Sequence, residues 1–255
     1  MCLIVVGYRM HPDYPLVLAA NRDEYYQRPT AAAEFWAQAP EVLAGRDLQG
    51  GGTWLGVTRQ GRWAALTNVR GAGTAPAGYS RGLLVSGFLR STDAPQRYMA
   101  RVARWGHRFA GFNLLVGDCS GVASLSNRDD GVRLLSPGCY GLSNHLLDSP
   151  WPKVEQAKEQ FKAVLATPGF KLDHLWPVLS DRHLPNAKSL PQTVLEPDLE
   201  RALGAIFVQL PGYGTRCSTL VAIGRDGHVS MAERRYASDG RIEGESRFAF
   251  NLSTQ

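Results

Sequence analysis

Apolar and polar positions in the first half of the chain follow the spacing of strands and turns rather than of helices. Leu3 to Arg9 reads as a buried strand. The run His11-Pro12-Asp13-Tyr14-Pro15 ends it, because proline fixes φ and carries no N–H, and Leu16 to Ala20 returns as a second strand. Asn21-Arg22-Asp23-Glu24 therefore falls at the end of the returning strand. A hairpin brings its free ends together, so Cys2 and Asp23 are expected to be neighbours. Gly50-Gly51-Gly52 leads into a second hairpin, Thr53 to Thr58 and Trp63 to Val69, with Asn68 at its far end. The glycine triplet lacks the lysine of a phosphate loop and precedes a strand, so it reads as a tight turn.

Helical spacing appears at Ser80 to Leu89 and Pro95 to Trp105, with Leu83, Leu84, Phe88 and Val102 expected to face inward. Asn113 to Gly117 and Val122 to Ser126 form a third hairpin around Ser120-Gly121. Cys139 to Leu142 is a short strand ending at Ser143-Asn144, and Pro150-Trp151-Pro152 opens a helix to about Leu165. The proline-rich stretch 168–198 reads as a surface excursion with short helices. Thr215 to Ile223 and Val229 to Ala237 close the pattern as a hairpin around Asp226-Gly227. Many antiparallel strands with helices in blocks predict an α+β architecture of two or more packed layers, in one domain over residues 1–255.

Composition changes this picture little. The chain has 255 residues, 44% hydrophobic and 20% charged, and no apolar run approaches the ~20 residues of a membrane span. The first apolar stretch has no basic segment before it, unlike a signal peptide. Four cysteines without C-x-x-C spacing point to a reduced compartment, and a cytoplasmic location is expected. The net charge of +5 comes mainly from arginines spread along the chain, which argues against nucleic acid as a partner and accommodates anionic small molecules. The six histidines show no metal-ligand spacing, and no metal is expected.

Cys2 is the residue with the most chemistry to offer. Removal of the initiator methionine leaves it at the N-terminus, its thiol beside its own α-amino group. That amine, with an unperturbed pKa of about 8, is a built-in general base. The plainer reading is a small apolar side chain at the start of a buried strand.

Met1-Cys2, Asn21-Arg22-Asp23-Glu24, Gly51-Gly52-Thr53-Trp54-Leu55-Gly56, Thr67-Asn68-Val69, Tyr140-Gly141-Leu142-Ser143-Asn144 with Asp148-Ser149-Pro150-Trp151-Pro152-Lys153, and Tyr213-Gly214-Thr215-Arg216 occur in this order. Together they resemble the NRDE family, whose eukaryotic members are called Transport and Golgi organisation 2. That family in turn resembles N-terminal-nucleophile hydrolases of the bile salt hydrolase and penicillin acylase type. The resemblance implies a four-layer αββα fold with two packed antiparallel sheets flanked by helices. It also implies an N-terminal-cysteine hydrolase or acyltransferase acting on an amide or thioester. Cys2 matches the nucleophile, Asp23 the aspartate on the α-amino group, Asn68 an asparagine at a hairpin end, Asn144 the one lining the oxyanion hole, and Arg216 a late arginine supporting the nucleophile. Arg22, Trp54 and His145 are candidates for substrate contact. In the hydrolases an arginine precedes the aspartate by three residues, where this chain has Ala20. Adjacent strand residues face opposite sides, so Arg22 is expected to point away from a pocket that Asp23 faces. The competing reading is a protein that binds and moves haem, acyl-CoA or lipid without chemistry, with haem as cargo ligated by the Cys2 thiolate or His145.

Overall fold

The structure, a computed structural model, describes residues 2–70, 78–186, 189–190 and 195–253. One sheet contains β1 (Cys2–Tyr8), β2 (Leu16–Tyr25), β10 (Gly138–Leu142), β12 (Tyr213–Ile223), β13 (His228–Tyr236) and β14 (Ile242–Asn251). Their order is β10-β1-β2-β12-β13-β14, with the short β11 (Gln209–Leu210) on β12. The second sheet runs in chain order through β3 (Thr30–Trp36), β4 (Ala39–Asp47), β5 (Leu55–Thr58), β6 (Trp63–Asn68), β7 (Phe112–Asp118), β8 (Gly121–Ser126) and β9 (Arg133–Leu134). The ladders are antiparallel in both sheets.

Apolar side chains fill three layers. Ile4, Val6, Leu16 and Leu18 meet Leu43, Leu55, Val57 and Leu115 between the sheets. Helices α1 (Gly82–Leu89) and α2 (Pro95–Trp105) cover the outer face of the second sheet, placing Phe88, Met99 and Val102 on Val42, Leu114 and Val116. On the first sheet, α3 (Pro152–Leu165), the 3-10 turn Leu172–Leu175 and α4 (Trp176–Leu179) set Phe161, Leu175 and Leu179 against Leu3, Val5, Val17 and Leu220. The arrangement is the expected αββα stack of antiparallel sheets and helices.

Strand parity then assigns the polar end of β2. Odd positions of β1 and β2 (Leu3, Val5, Val17, Ala19) face the helices, and even ones (Ile4, Val6, Leu16, Leu18, Ala20) face the other sheet. Continued outward, this rule puts Cys2 and Arg22 between the sheets and turns Asn21 and Asp23 toward the helices.

Four details differ from the sequence reading. β2 continues to Tyr25, so the Asn-Arg-Asp-Glu run lies within the strand. β3, β4 and β14 were not anticipated; the alanines of Thr30-Ala31-Ala32-Ala33 have low strand propensity, and pairing to neighbours overrides it. Leu83 is exposed, because α1 begins at Gly82 and turns its inward stripe to Leu84, Val85 and Phe88. The proline-rich excursion is not all surface: Leu175, Trp176, Val178 and Leu179 are buried in the outer core. Burying such a side chain contributes roughly 1.5–3 kcal/mol, enough for four to pin the segment. α5 (Pro197–Leu203) follows it. Among the described residues, no helix is long and apolar enough to cross a membrane.

Candidate active site

Cys2 and Arg22 are register partners across β1 and β2, so their side chains stand side by side in the inter-sheet layer. Arg22 is only 6% exposed. Its guanidinium lies 4.3 Å from the Trp54 ring centroid, donates from Nη1 to Thr30 Oγ1 at 3.1 Å, and sits 3.6 Å from Asp47 Oδ2. Arg28 Nε donates to the same Asp47 oxygen at 2.9 Å. Burial pushes the Asp47 carboxyl up, but the Gly50 N–H and the Arg28 guanidinium outweigh it and hold the group below its ordinary range. The expectation that Arg22 points away from a pocket that Asp23 faces is therefore corrected, because both border the same open cleft as Cys2. Arg22 and Asp23 do face opposite sides, but Arg22 is the one on the face of Cys2.

Burial pushes the Cys2 thiol up, and the Asp23 carboxylate adds to this. The Asp23 backbone N–H and the Arg22 guanidinium favour the thiolate without reversing the shift.

Asp23 occupies the helix-facing side. Thr215 Oγ1 donates to its Oδ1 at 2.7 Å, and Tyr213 donates from its hydroxyl to the Asp23 carbonyl at 3.1 Å. Asn21, on the same side, donates to the carbonyls of Leu179 and Ile206 and accepts from Ser218 Oγ at 2.6 Å. Lys153 enters this layer from the first turn of α3, 2% exposed, and donates to the Leu203 carbonyl at 3.0 Å. Burial lowers Lys153, and the Asp23 carboxylate opposes that. Burial raises Asp23, and Lys153 with Thr215 opposes that. Lys153 was absent from the candidate set. It shares the buried stripe of α3 with Ala157 and Phe161 at four-residue steps, a legible sign that this lysine faces inward.

Asn144, which follows β10, is fully buried and joins the two sheets. Its Oδ1 accepts the Cys2 backbone N–H at 3.2 Å, and its Nδ2 donates to Asn68 O at 3.0 Å and Asn68 Oδ1 at 2.7 Å. Ser143 Oγ donates to the Cys2 carbonyl at 2.8 Å, and Thr67 Oγ1 donates to Ser143 O. Both Asn144 donors are thus spent on Asn68. The resemblance assigns Asn144 to an oxyanion hole; in the structure Asn144 is a buried positioning residue, and Asn68 is the amide that borders the open space with Cys2.

That space is an open cleft of about 990 Å³ lined by Cys2, Arg22, Trp54, Asn68, Arg70 and Arg81 among others. Two further candidates lie outside its lining among the described residues. Arg216 sits where the ladder of β2 and β12 slips between Thr215 and Cys217, and it donates to the carbonyls of Tyr25 at 2.9 Å and Arg28 at 3.2 Å. It braces the β2–β3 turn, a correction to its assignment beside the nucleophile. His145 is exposed; its Nδ1 lies 2.7 Å from Ser149 Oγ and its ring stacks near Trp151. The backbone carbonyl of His145, not its imidazole, joins the buried network by accepting from Asn113 Nδ2 at 2.8 Å.

Comparison with known proteins agrees with this frame. The chain is 35% identical to the Transport and Golgi organization protein 2 homolog of Homo sapiens, with both chains covered in full. It is 38% identical to the Bos taurus homolog over 92% of each chain. Among solved structures, the mutant C2A conjugated bile acid hydrolase from Clostridium perfringens superposes with a TM-score of 0.52 at 8% identity, over 99% of this chain and 92% of that one, a likeness of fold. The sequence profile of the Transport and Golgi organisation 2 family matches residues 1–238, and the chain belongs to that family.

Proposed function

We propose that this protein is an N-terminal-cysteine hydrolase or acyltransferase of amides or thioesters, armed by removal of Met1. The observation that carries the reading is the setting of Cys2. Its side chain borders the cleft beside Arg22, while its nitrogen is already held by Asn144 Oδ1. Once that nitrogen is a free amine, it takes the thiol proton, and the sulfur attacks the acyl carbon. A C–S bond forms and the carbonyl electrons move onto oxygen, where the Asn68 amide donates a hydrogen bond. Collapse expels the amine or thiol, which carries away the proton held by the Cys2 ammonium. Water or an acceptor nucleophile then attacks the thioester, and Cys2 recovers its proton. Arg22 offsets the charge of the thiolate, and Asp23 with Asn144 holds the ammonium.

Intact-mass analysis and a thioester and acyl-amide panel test this. Met1 is expected to be absent from the mature protein, and Cys2→Ser is expected to lower turnover by about two orders of magnitude or more, since a hydroxyl is far less ionised than a thiol. Retention of Met1, or no turnover by the processed wild type, refutes the reading.

A second reading has its own support. Burial raises the Cys2 thiol, and the cleft is broad and arginine-lined, properties that suit holding a ligand such as haem, an acyl-CoA or a lipid without chemistry. Under it, Cys2→Ser keeps ligand affinity within a few-fold. A haem cargo held by the thiolate instead loses its Soret signature in that variant.

A further inference from the structure

Four arginines line the cleft, and three of them are neutralised. Arg22 and Arg28 share Asp47, Arg28 also meets Glu24, and Arg70 pairs with Glu200. Arg81 differs. Its Nη1 donates to the Gly111 carbonyl at 3.1 Å, and among the described residues no carboxylate pairs with it. All 23 aspartates and glutamates of the chain are among the described residues, and none forms an ion pair with Arg81; Glu24 acts on it only at longer range. A guanidinium has five N–H donors in a planar fork matched to carboxylate and phosphate, and among the described residues Arg81 spends one of them on the protein.

The glycine triplet explains how Arg81 is held. Gly51 and Gly52 have φ of 69° and 73°, and a Cβ on Gly52 would stand 2.4 Å from the Gly82 carbonyl. Thr53 N donates to Gly82 O at 3.2 Å, locking the loop to the residue after Arg81. A Cβ on Gly50 would fill the space between Ser80 Oγ and the Arg28 guanidinium, at 2.8 and 3.0 Å. The loop therefore keeps one edge of the cleft open where Arg28 and Arg81 meet it. Burial lowers Arg81, while the charges of Cys2 and Glu24 favour its ionised form, and Arg81 and Cys2 line the same cleft.

We infer that Arg81 is a specificity residue that binds an anionic group, carboxylate or phosphate, on the compound whose acyl carbon meets Cys2. The inference rests on the cleft being the ligand site proposed above. It adds that the substrate is charged, and that its charge lies toward the glycine loop.

Anion binding and Cys2 labelling in the full chain test it. Inorganic pyrophosphate and succinate are titrated by calorimetry against wild type, Arg81→Gln and Arg81→Lys. Wild type is expected to bind at least one saturably, which distinguishes phosphate from carboxylate recognition. Arg81→Gln is expected to weaken binding about tenfold or more, as loss of a charge-assisted contact does. Arg81→Lys keeps the charge but not the fork, and is expected to fall between. Labelling rates at Cys2 with neutral N-ethylmaleimide and anionic 6-maleimidohexanoate are read by peptide mass spectrometry. The acid-to-neutral rate ratio is expected to drop about tenfold in Arg81→Gln. Equal anion binding by wild type and Arg81→Gln, or none by wild type, overturns the inference. Failure of Cys2 to react with either maleimide refutes the nucleophile reading instead, and leaves the binding titrations to decide Arg81. Should Arg81→Gln lose its near-ultraviolet circular dichroism, the Arg81→Lys comparison decides.

Discussion

Asn144 is the residue whose replacement tests the site most directly. Alanine there removes the acceptor for the Cys2 N–H and both donors to Asn68. Asn68 borders the cleft, so water recovers its oxygens, and each exchanged bond costs about 1 kcal/mol net. The Cys2 N–H is less accessible, and a buried donor left bare costs about 1–3 kcal/mol. Ser143 Oγ keeps its bond to the Cys2 carbonyl and limits the damage. The expected loss for Asn144→Ala is therefore about 3–5 kcal/mol, read as a lower urea midpoint at unchanged slope. Asn144→Asp has nearly the same shape but sets a carboxylate oxygen against Asn68 O and Asn68 Oδ1, now 3.0 and 2.7 Å from a donor. It is expected to be worse than alanine at pH 7.5. Burial beside two acceptors raises the folded-state pKa of the new carboxyl. The variant is then most stable below the unfolded pKa, and loses stability as pH rises through the folded one. An Asn144→Asp protein within about 0.5 kcal/mol of wild type at pH 7.5 refutes this orientation of the amide and the latch built on it.

Three other outcomes are expected. Gly52→Ala meets the Gly82 backbone at 2.4 Å with φ of 73°, and should cost about 2–4 kcal/mol; Gly51→Ala, at φ 69° with its nearest neighbour 4.0 Å away, should cost only the conformational strain of about 1–2 kcal/mol, both by urea titration. Glu233 is 1% exposed and accepts from Ala33 N at 2.8 Å through Oε1, and the Cys217 thiol also meets its carboxylate. Burial raises its carboxyl, so wild-type stability from this group is full below the unfolded pKa near 4.5 and falls as pH rises through the folded one; Glu233→Gln should raise the melting temperature at pH 7.5 and flatten that fall. Arg216→Ala should cost about 1–2 kcal/mol through the lost Tyr25 and Arg28 carbonyl contacts and leave the maleimide labelling rate of Cys2 within twofold.

The apolar runs of β1, β5, β6 and β12, bounded by turn residues, place Cys2 at the head of a central strand and Asn68 at the end of another. Which neighbour of Cys2 shares its face was not legible, because register depends on the connection. Arg9 to Pro15 closes with Arg9 N donating to Pro15 O at 2.8 Å, and Arg9 adopts a φ of 52°. A slip of one residue there would set Asp23 or Asn21, according to its direction, opposite Cys2 in place of Arg22. The slip between Thr215 and Cys217 is equally invisible in the sequence, and it redirects Arg216 to the β2–β3 turn. Lys153 was legible as an inward lysine on an amphipathic helix, but its proximity to Asp23 needed the packing of α3 on the first sheet.

The Asn-Arg-Asp-Glu run is best understood as residues divided between two faces of β2. Asn21 and Asp23 lie in the helix-facing layer, where carbonyls of Leu179 and Ile206, the Thr215 hydroxyl and Lys153 answer their polarity. Arg22 lies between the sheets, where Thr30, Asp47 and Trp54 answer its charge. Glu24, at the exposed end, is 3.7 Å from Arg28. Arg22 is the register partner of two cysteines, Cys2 on β1 and Cys217 on β12, so proximity to a guanidinium does not by itself select a nucleophile. Burial and the Glu233 carboxylate push the Cys217 thiol well up, and at 3% exposure no substrate reaches it. Cys2 stands at the open end of the same row, where the cleft admits a ligand and where the strand's first N–H meets Asn144. On the proposed reading, access and the hold on its nitrogen, rather than the nearby arginine alone, favour Cys2 over Cys217 as the nucleophile.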